Sequence, residues 1–264
     1  MNIVTILITL ILLSVLVVVH ELGHFLAAKK TGVFVEEFAM GMGPKLFGHQ
    51  GKETLFTIRA FPIGGFCRMR GEEPQKDEEG KLIPADPLLA PVEGSYESKT
   101  QGQKLLILVA GSGMNIIFAW VCLFAVSLLM GKSNFIESIG NAFINTWRFA
   151  GLIFQSFAML FTGKVGLNDL AGPIGLVSMV DTFVNQGFIA LLAFTALISV
   201  NLGIINLFPL PALDGGRVFI LLIEIITRRK FSPEVENRIN YFGFMALIAL
   251  ALIIAVNDIM RLAS

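Results

Sequence analysis

Charged residues are scarce in this chain of 264 residues, of which Asp, Glu, Lys and Arg together make up only 15%. The 20 basic and 20 acidic side chains cancel to a formal net charge of zero, and the pI is near 6.8. No basic tract stands out against acidic neighbours, so the sequence lacks the basic surface that nucleic-acid binding requires. We therefore expect no nucleic-acid partner.

Cysteine is rare as well, with Cys67 and Cys122 as its two occurrences. The two residues are far apart in the sequence, and Cys122 lies inside an apolar run. This pattern does not resemble a disulfide framework, and it predicts two free thiols. The N-terminus also lacks the positive charges and the small-residue cleavage site of a removable signal peptide, so the first apolar run is expected to stay in the mature protein.

Hydrophobic residues, by contrast, make up 55% of the chain, and the mean hydropathy is +0.74. A helix that crosses a bilayer needs about 17 to 25 mainly apolar residues. Three runs reach this length and a fourth is shorter: Ile3 to Ala28, Leu105 to Met130, Phe188 to Phe208 and Phe242 to Val256. The sequence predicts an all-α polytopic membrane protein with about four transmembrane helices.

Two further stretches are expected at the membrane without crossing it. Ile136 to Thr162 mixes polar residues and Trp147 with many phenylalanines, which favours an interfacial helix. Leu55 to Met69 is rich in strand formers around Pro62 and two glycines, which predicts a membrane-associated β-hairpin or β-loop.

Lysine and arginine indicate the orientation, because both are enriched on the cytoplasmic side. They are frequent between the first two spans, and Arg228, Arg229 and Lys230 follow the third span. The segment 131–187 carries only three, at Lys132, Arg148 and Lys164. This places the N-terminus outside and the end of the first span at the cytoplasmic side.

The end of the first apolar run carries three ionisable groups, His20, Glu21 and His24, in the pattern H-E-x-x-H. Residues four apart lie on one face of a helix, so the two imidazoles can bind one metal ion with the glutamate beside them. Zinc hydrolases use this arrangement, in which the glutamate handles the proton of the attacking water. A motif of five residues also arises by chance, so the pattern needs a third ligand to carry weight.

A candidate for that ligand follows the third span, in the segment from Asn206 to Gly216. Pro209 and Pro211 cannot continue a helix, so the backbone must open there. Non-helical backbone at membrane depth is tolerated where it lines a site, and Asp214 would reach a depth similar to that of the histidines. The alternative is that Asp214 is only the N-cap of a helix from Gly215 to Thr227.

The two motifs together, H-E-x-x-H in a first span and N-x-x-P-x-P-x-L-D-G-G at Asn206 to Gly216, resemble the site-2 protease family of intramembrane zinc metalloproteases. The likeness is strongest to the bacterial type that cleaves anti-sigma factors. It implies that His20, His24 and Asp214 bind Zn²⁺ and that Glu21 is the catalytic acid and base. It also implies a set of substrate-binding residues: Asn206, Pro209, Pro211, Asn115, Gly64 and Gly65.

Two features depart from this family pattern. Related proteins usually carry Gly-Pro-x-x-Asn early in the second span, whereas this chain has Gly111-Ser112-Gly113-Met114-Asn115. Bacterial members often have PDZ domains after the second span, and between Met130 and Ile136 there is no room for one.

The expected layout is a single intramembrane protease domain over residues 1–264. Its parts are a first span at 1–30, a cytoplasmic loop at 31–104, a second span at 105–130, an outer segment at 131–187, a third span with the broken helix at 188–228 and a fourth span at 240–261.

The resemblance implies an enzyme of the bacterial inner membrane that cleaves the transmembrane helix of a single-pass protein, such as an anti-sigma factor or a signal-peptide remnant. The lipid bilayer is its second partner. A membrane transporter also has broken helices and polar groups at membrane depth, and a non-catalytic scaffold is a third possibility. Neither alternative explains a glutamate between two histidines at ligand spacing.

Overall fold

The computed structural model describes residues 2–72, 92–131, 133–164, 166 and 172–263. Within these residues it has seven helices and one sheet of two strands. The elements in chain order are α1 (Ile3–Lys30), β1 (Val35–Gln50), β2 (Leu55–Met69), α2 (Gln101–Leu129), α3 (Phe135–Phe161), α4 (Pro173–Asn185), α5 (Phe188–Asn206), α6 (Asp214–Thr227) and α7 (Pro233–Ala263). Much of the expected cytoplasmic loop, residues 73–91, lies outside the described residues.

Four of the described helices are long and apolar enough to cross a membrane: α1, α2, α5 and α7. They coincide with the four apolar runs of the sequence. The fourth is longer than expected, since its apolar stretch extends over Glu234–Met260. The most apolar window of α7 has no buried residue, so this helix presents hydrophobic side chains on all sides.

Helix α2 is the centre of the bundle and packs against α1, α3 and α5. It begins with a capping box, in which the side chain of Thr100 accepts a hydrogen bond from the Gln103 amide and the Gln103 side chain accepts one from Thr100. A buried cluster on α2, α3 and α5 forms the largest part of the core, with small and medium side chains such as Ala119, Ala150 and Val200. This packing joins α2 to α3 and α5.

The sheet is larger than the sequence indicates. Of the two alternatives, β-hairpin or β-loop, that the sequence leaves open for Leu55 to Met69, the structure shows one bent strand, β2, which forms an antiparallel pair with β1. Both strands are long and bent, so Phe38 on β1 pairs with Cys67 on one side and with Phe56 on the other. The strand β1 escapes sequence analysis because Gly41 and Gly43, both with positive φ, interrupt its pattern of strand-forming residues.

The bend of β2 lies beside the middle of α1. Ser14 donates a hydrogen bond to the carbonyl of Pro62 at 2.6 Å, and a Cβ added at Gly65 would meet the Val17 side chain at 3.3 Å. A buried carboxylate also ties the sheet together, because Glu37 accepts hydrogen bonds from Thr57 at 2.6 Å and from Arg59 at 2.7 Å. The sheet therefore lines α1 from its middle to its C-terminal end.

Helix α3 lies lengthwise along α2 and α5. Near one end, Ser127 on α2 donates to Ser138 on α3 at 3.1 Å, and near the other end the rings of Phe157 and Phe208 are 4.6 Å apart. An interfacial position for this helix stays a prediction. Its contacts along α2 and α5 favour an orientation parallel to the bundle over one that lies flat across its end.

Helix α4 is joined to its neighbours by two carboxylates. Thr5 on α1 donates to Asp181 at 2.6 Å, and Asp258 on α7 accepts a hydrogen bond from the Gly175 amide at 2.8 Å. Gly172, the N-cap residue of α4, has no side chain to satisfy the first amides, so Asp258 acts as the cap from another helix. This contact attaches the C-terminal end of α7 to the bundle.

Candidate metal centre

Three side chains meet where the C-terminal half of α1 faces the start of α6. His20 and His24 lie one turn apart on α1, and their Nε2 atoms are 3.1 Å apart. The Oδ2 atom of Asp214 lies 2.9 Å from the Nε2 atom of His20 and 3.2 Å from that of His24. Both imidazoles are buried. The three residues combined from two distant motifs thus form one cluster.

The broken helix positions Asp214 as the proline pattern predicts. Helix α5 ends at Asn206, the chain continues without helical structure through Pro209 and Pro211, and α6 begins at Asp214. The N-cap residue of α6 is Leu213, and the carboxylate of Asp214 contacts the histidines. The alternative that Asp214 only caps the helix is therefore not favoured.

Helix α7 supports this open segment. Ala212 has a φ of 69°, which is unfavourable for a residue with a Cβ, and its amide donates to the side chain of Asn240 at 3.3 Å. A Cβ at Gly243 would lie 2.2 Å from Pro211, so only glycine allows α7 to approach the segment this closely. Asn240 and Gly243 thereby fix the backbone two residues before Asp214.

The hydrogen bonds of His24 test whether the cluster suits a cation. Its Nδ1 atom lies 2.8 Å from the carbonyl of Ile107, which can only accept, so Nδ1 carries the proton. The Nε2 lone pair then points at the Nε2 atom of His20 and at the carboxylate of Asp214. Metal-binding histidines characteristically donate their other N–H to such a carbonyl. Lone pairs of two imidazoles and a carboxylate that converge in a buried site favour a metal cation between them.

His20 leads to the same conclusion through Asn115. Asn115 has no exposed surface, its Nδ2 atom lies 3.2 Å from Nδ1 of His20, and its Oδ1 atom is buried without a hydrogen-bond partner among the described residues. An amide side chain can rotate by half a turn, which exchanges the positions of its oxygen and nitrogen. Exchange lets Oδ1 accept the Nδ1 proton of His20, satisfies the orphaned oxygen and turns the Nε2 lone pair toward Asp214.

The spacing of these atoms also fits zinc. A tetrahedral ion with bonds of about 2.0 to 2.1 Å separates its ligand atoms by roughly 3.3 Å. The three distances in the cluster, 2.9, 3.1 and 3.2 Å, are close to this value. Two imidazole nitrogens and one carboxylate oxygen are a donor set of catalytic zinc sites, which keep the fourth position open.

Space for the two imidazoles is provided by Gly111 on α2. A Cβ added there would lie 2.3 Å from Nε2 of His24 and 2.8 Å from Cε1 of His20. On the facing helix, a Cβ at Gly23 would lie 2.2 Å from the carbonyl of Ala110. With Ser112 in place of the proline of Gly-Pro-x-x-Asn, α2 is a continuous helix, and Gly111 lies directly against the histidines.

Glu21 lies between two cavities. The smaller, of about 210 Å³, is lined by Val17, Leu202 and Asn206 together with His20, Glu21 and Asp214. The larger, of about 610 Å³, is lined by Glu21, His24 and Asp214 on one wall and by Phe66 to Met69 of β2 on another. A carboxylate in this position can exchange protons with a molecule in either cavity.

Some of the residues expected to bind substrate lie beside the candidate metal centre, and others lie away from it. Asn206 lines the smaller cavity, with its amide nitrogen 3.4 Å from Nε2 of His20, and Gly65 lies beside Glu21. Gly64 packs against Met42 instead, and Pro209 is exposed. Asn115 contacts His20, and a contact with substrate stays a prediction for all of these residues.

Cys67 lines the larger cavity, but its thiol is suited neither to nucleophilic attack nor to metal binding. Burial raises the pKa of its thiol well above the ordinary value, so the group remains protonated. A protonated thiol is a poor nucleophile and a poor metal ligand. The candidate groups for metal binding and proton transfer at this site are therefore the histidines and carboxylates.

Several residues that build the site were missed in the sequence. Gly111 and Glu72 stand out in the sequence only as parts of stretches that resemble motifs of the family, and Arg217 and Asn240 belong to no motif. A glycine's role becomes visible only once its neighbour is known, and the polar residues act across sequence separations that no local pattern reveals. Arg217 had one available signal, its position one turn after Asp214.

The fold and this donor set define a zinc metallopeptidase built into apolar helices. A family model described as Peptidase family M50 matches residues 8–250. The chain therefore belongs to peptidase family M50, the site-2 proteases, and is an intramembrane zinc metalloprotease of that type.

Curated relatives agree with this assignment. The chain is 26% identical to the zinc metalloprotease RasP of Shouchella clausii, over 98% of this chain and 100% of the relative. It is 25% identical to the regulator of sigma-W protease RasP of Bacillus subtilis, over 98% of this chain and 99% of the relative. These alignments extend over 416 positions, more than the 264 residues of this chain, so the relatives contain internal segments that it lacks. This agrees with the expectation of a chain without a PDZ domain.

Substitution of Gly111 by alanine should abolish zinc binding, because the new methyl group would occupy the position of the His24 imidazole. We expect less than one tenth of the wild-type zinc content in the purified protein, measured by atomic absorption. Gly113→Ala is the matched control, since no described atom lies within 4 Å of its added Cβ. Equal zinc content in the two variants would contradict the close approach of α2.

The exchanged amide of Asn115 predicts that an acceptor at this position strengthens zinc binding. Asn115→Leu keeps the volume and loses the acceptor, so zinc affinity should fall by about 10- to 100-fold in a chelator competition. Asn115→Asp keeps the acceptor and should remain within a few-fold of wild type. Ser112→Ala, at a neighbouring buried position, serves as the control. An Asn115→Leu variant with wild-type affinity would disprove the role.

Proposed function

We propose that this protein hydrolyses peptide bonds near the cytoplasmic end of transmembrane segments in single-pass membrane proteins. In this proposal His20, His24 and Asp214 bind the zinc ion, and Glu21 is the catalytic acid and base. The observation that carries it is the convergence of the three donor atoms inside a bundle of apolar helices, with Glu21 between two cavities. The transporter and scaffold alternatives lose their support once the chain belongs to a peptidase family.

The proposed membrane position rests on exposed apolar side chains. Helix α7 is hydrophobic on all sides, and the bend of β2 at Pro62 lies beside Ser14, halfway along α1. Lysine and arginine are enriched next to the ends of α1 and α6, which favours an N-terminus on the outer side of the bacterial inner membrane. The metal centre would then lie in the cytoplasmic half of the bilayer, and water would reach it through the larger cavity.

The proposed chemistry needs one proton carrier and one open coordination position. When bound, zinc would supply Lewis acidity to the attacking water and the scissile carbonyl. Glu21 would take a proton from that water and deliver it to the leaving amine, so its carboxylate is regenerated after each turnover. Asn206, whose amide lies 3.4 Å from His20, would donate a hydrogen bond to the carbonyl oxygen as negative charge develops on it.

A substrate helix must unwind before cleavage, since its carbonyls are engaged in hydrogen bonds four residues apart. Phe66 to Met69 of β2 form a wall of the larger cavity opposite Glu21 and His24. An unwound segment can add to such a strand through main-chain hydrogen bonds. We infer that β2 presents the substrate as an extended strand beside the metal centre.

The substrate class is proposed from the relatives. One of them is named as a regulator of sigma-W protease. By analogy, a membrane-bound regulator of transcription, such as an anti-sigma factor, is the first candidate substrate of this chain. Signal-peptide remnants, which are also short apolar helices, are the second.

Replacement of Glu21 by glutamine should remove the proton carrier and leave the ligands in place. We expect unchanged zinc content and cleavage of a transmembrane reporter slower by at least about 100-fold. Glu36→Gln is the control, because Glu36 is an exposed carboxylate on β1 that pairs only with Arg70 at 3.5 Å in the described structure. Full cleavage by the Glu21→Gln variant would rule out the proposed mechanism.

The orientation can be tested with single cysteines in a variant without Cys67 and Cys122. Arg229→Cys, after α6, should react with a membrane-impermeant maleimide only after the cytoplasmic side is opened. Asn134→Cys, before α3, should react in intact spheroplasts. Both positions are exposed. The reverse pattern would place the metal centre on the outer side and refute the proposed topology.

A further inference from the structure

An ion pair joins the substrate-facing strand to the helix that carries Asp214. Glu72, just after β2, pairs through Oε1 with Nη1 of Arg217 on α6, across 145 residues of sequence. The side chains are only 15% and 30% exposed, so this is not a solvated surface pair. Neither residue binds the metal in the proposed mechanism.

The pair connects two elements that otherwise share little packing. Among the described residues, β2 packs against β1 and α1, whereas α6 packs mainly against α2. The strand and the helix face each other across the larger cavity, which Glu72 and Arg217 both line. The ion pair is therefore a direct link between the two walls of the cavity, β2 and α6.

Glu72 is bonded to the end of β2, and Arg217 lies on the same helix as Asp214. The second carboxylate oxygen of Glu72 lies 3.4 Å from the amide of Met69, the last residue of β2, and the Glu72 amide donates to the Met69 carbonyl at 3.3 Å. Arg217 lies one turn after Asp214 on the same helix. A shift of either partner therefore moves the strand end or the metal-binding carboxylate.

We propose that Glu72 and Arg217 are positioning residues that hold the strand Phe66 to Met69 in register with Asp214. Their ion pair sets the distance between the extended substrate and the metal centre. This inference rests on the proposed function, because it assigns the strand to substrate. It predicts that loss of the pair slows the chemical step more than it weakens substrate or zinc binding, since a displacement of about 1 Å can cost 100-fold in rate.

Charge exchange separates positioning from mere stability. In the full-length protein in lipid vesicles, Glu72→Gln and Arg217→Gln should each lower kcat for a transmembrane reporter by about 10- to 100-fold, with KM within twofold of wild type. The double variant Glu72→Arg with Arg217→Glu should recover at least tenfold over the weaker single variant. Zinc content should remain equal to wild type in all three. Glu97→Gln, an exposed carboxylate that lines the same cavity, is the matched control and should retain wild-type kcat.

Three outcomes of this experiment overturn the proposal. One is wild-type kcat in both single variants, and another is a double variant no more active than the single ones. A rise in KM at constant kcat also contradicts it, since that result would make the pair a substrate-binding contact.

Hydrogen exchange provides a readout that does not depend on catalysis. Glu72→Gln should accelerate amide exchange both at residues 66–72 and at the start of α6, and leave α3 unchanged. Unchanged exchange at residues 66–72 would show that the pair does not hold the strand and would reject the proposal. If the wild-type protein cleaves no reporter but the exchange result is as expected, the proposed function fails, whereas the role of the Glu72–Arg217 ion pair in holding the strand is supported.

Discussion

The whole structure depends on bringing three lone pairs to one point in an apolar bundle. Two come from imidazoles one turn apart on α1, which any straight helix can supply. The third comes from Asp214. If α5 continued without a break, Asp214 would lie further along the same helix and not at the start of a new one. The prolines at 209 and 211 open the chain, and α6 restarts with Asp214 facing the histidines. The cost of non-helical backbone is tolerable here because the segment lines cavities.

Supporting contacts surround this point from every side. Ile107 and Asn115 on α2 fix the orientation of the two imidazoles from behind, and Gly111 leaves room for them. Asn240 on α7 holds the strained backbone at Ala212 before the carboxylate. Such outer contacts decide ring orientation and ligand basicity, which the ligands alone do not determine. Each of α2, α6 and α7 therefore contributes to one candidate metal centre, although its three side chains come from α1 and α6.

The fold could be predicted in its helices and in one of the two strands of its sheet, β2. Long apolar runs report spanning helices directly, because every backbone group in hydrocarbon must be paired within the helix. The strand β1 gave no comparable signal: Gly41, Gly43 and Pro44 break its alternation, and its pairing with β2 joins residues far apart in the chain. The orientation of α3 was equally hidden, since its mixed polarity fits either a surface helix or one packed along α2 and α5.

The sequence by itself determined the class of chemistry, because H-E-x-x-H is the pattern of zinc hydrolases and, together with the aspartate after a proline break, it resembles the intramembrane zinc peptidases. The tertiary structure decided the rest. Only packing shows that Asn115 stands behind His20, that Gly111 must lack a side chain, and that Glu72 meets Arg217 across the cavity. Local spacing specifies ligands within one helix, whereas contacts between distant elements exist only once the chain has folded.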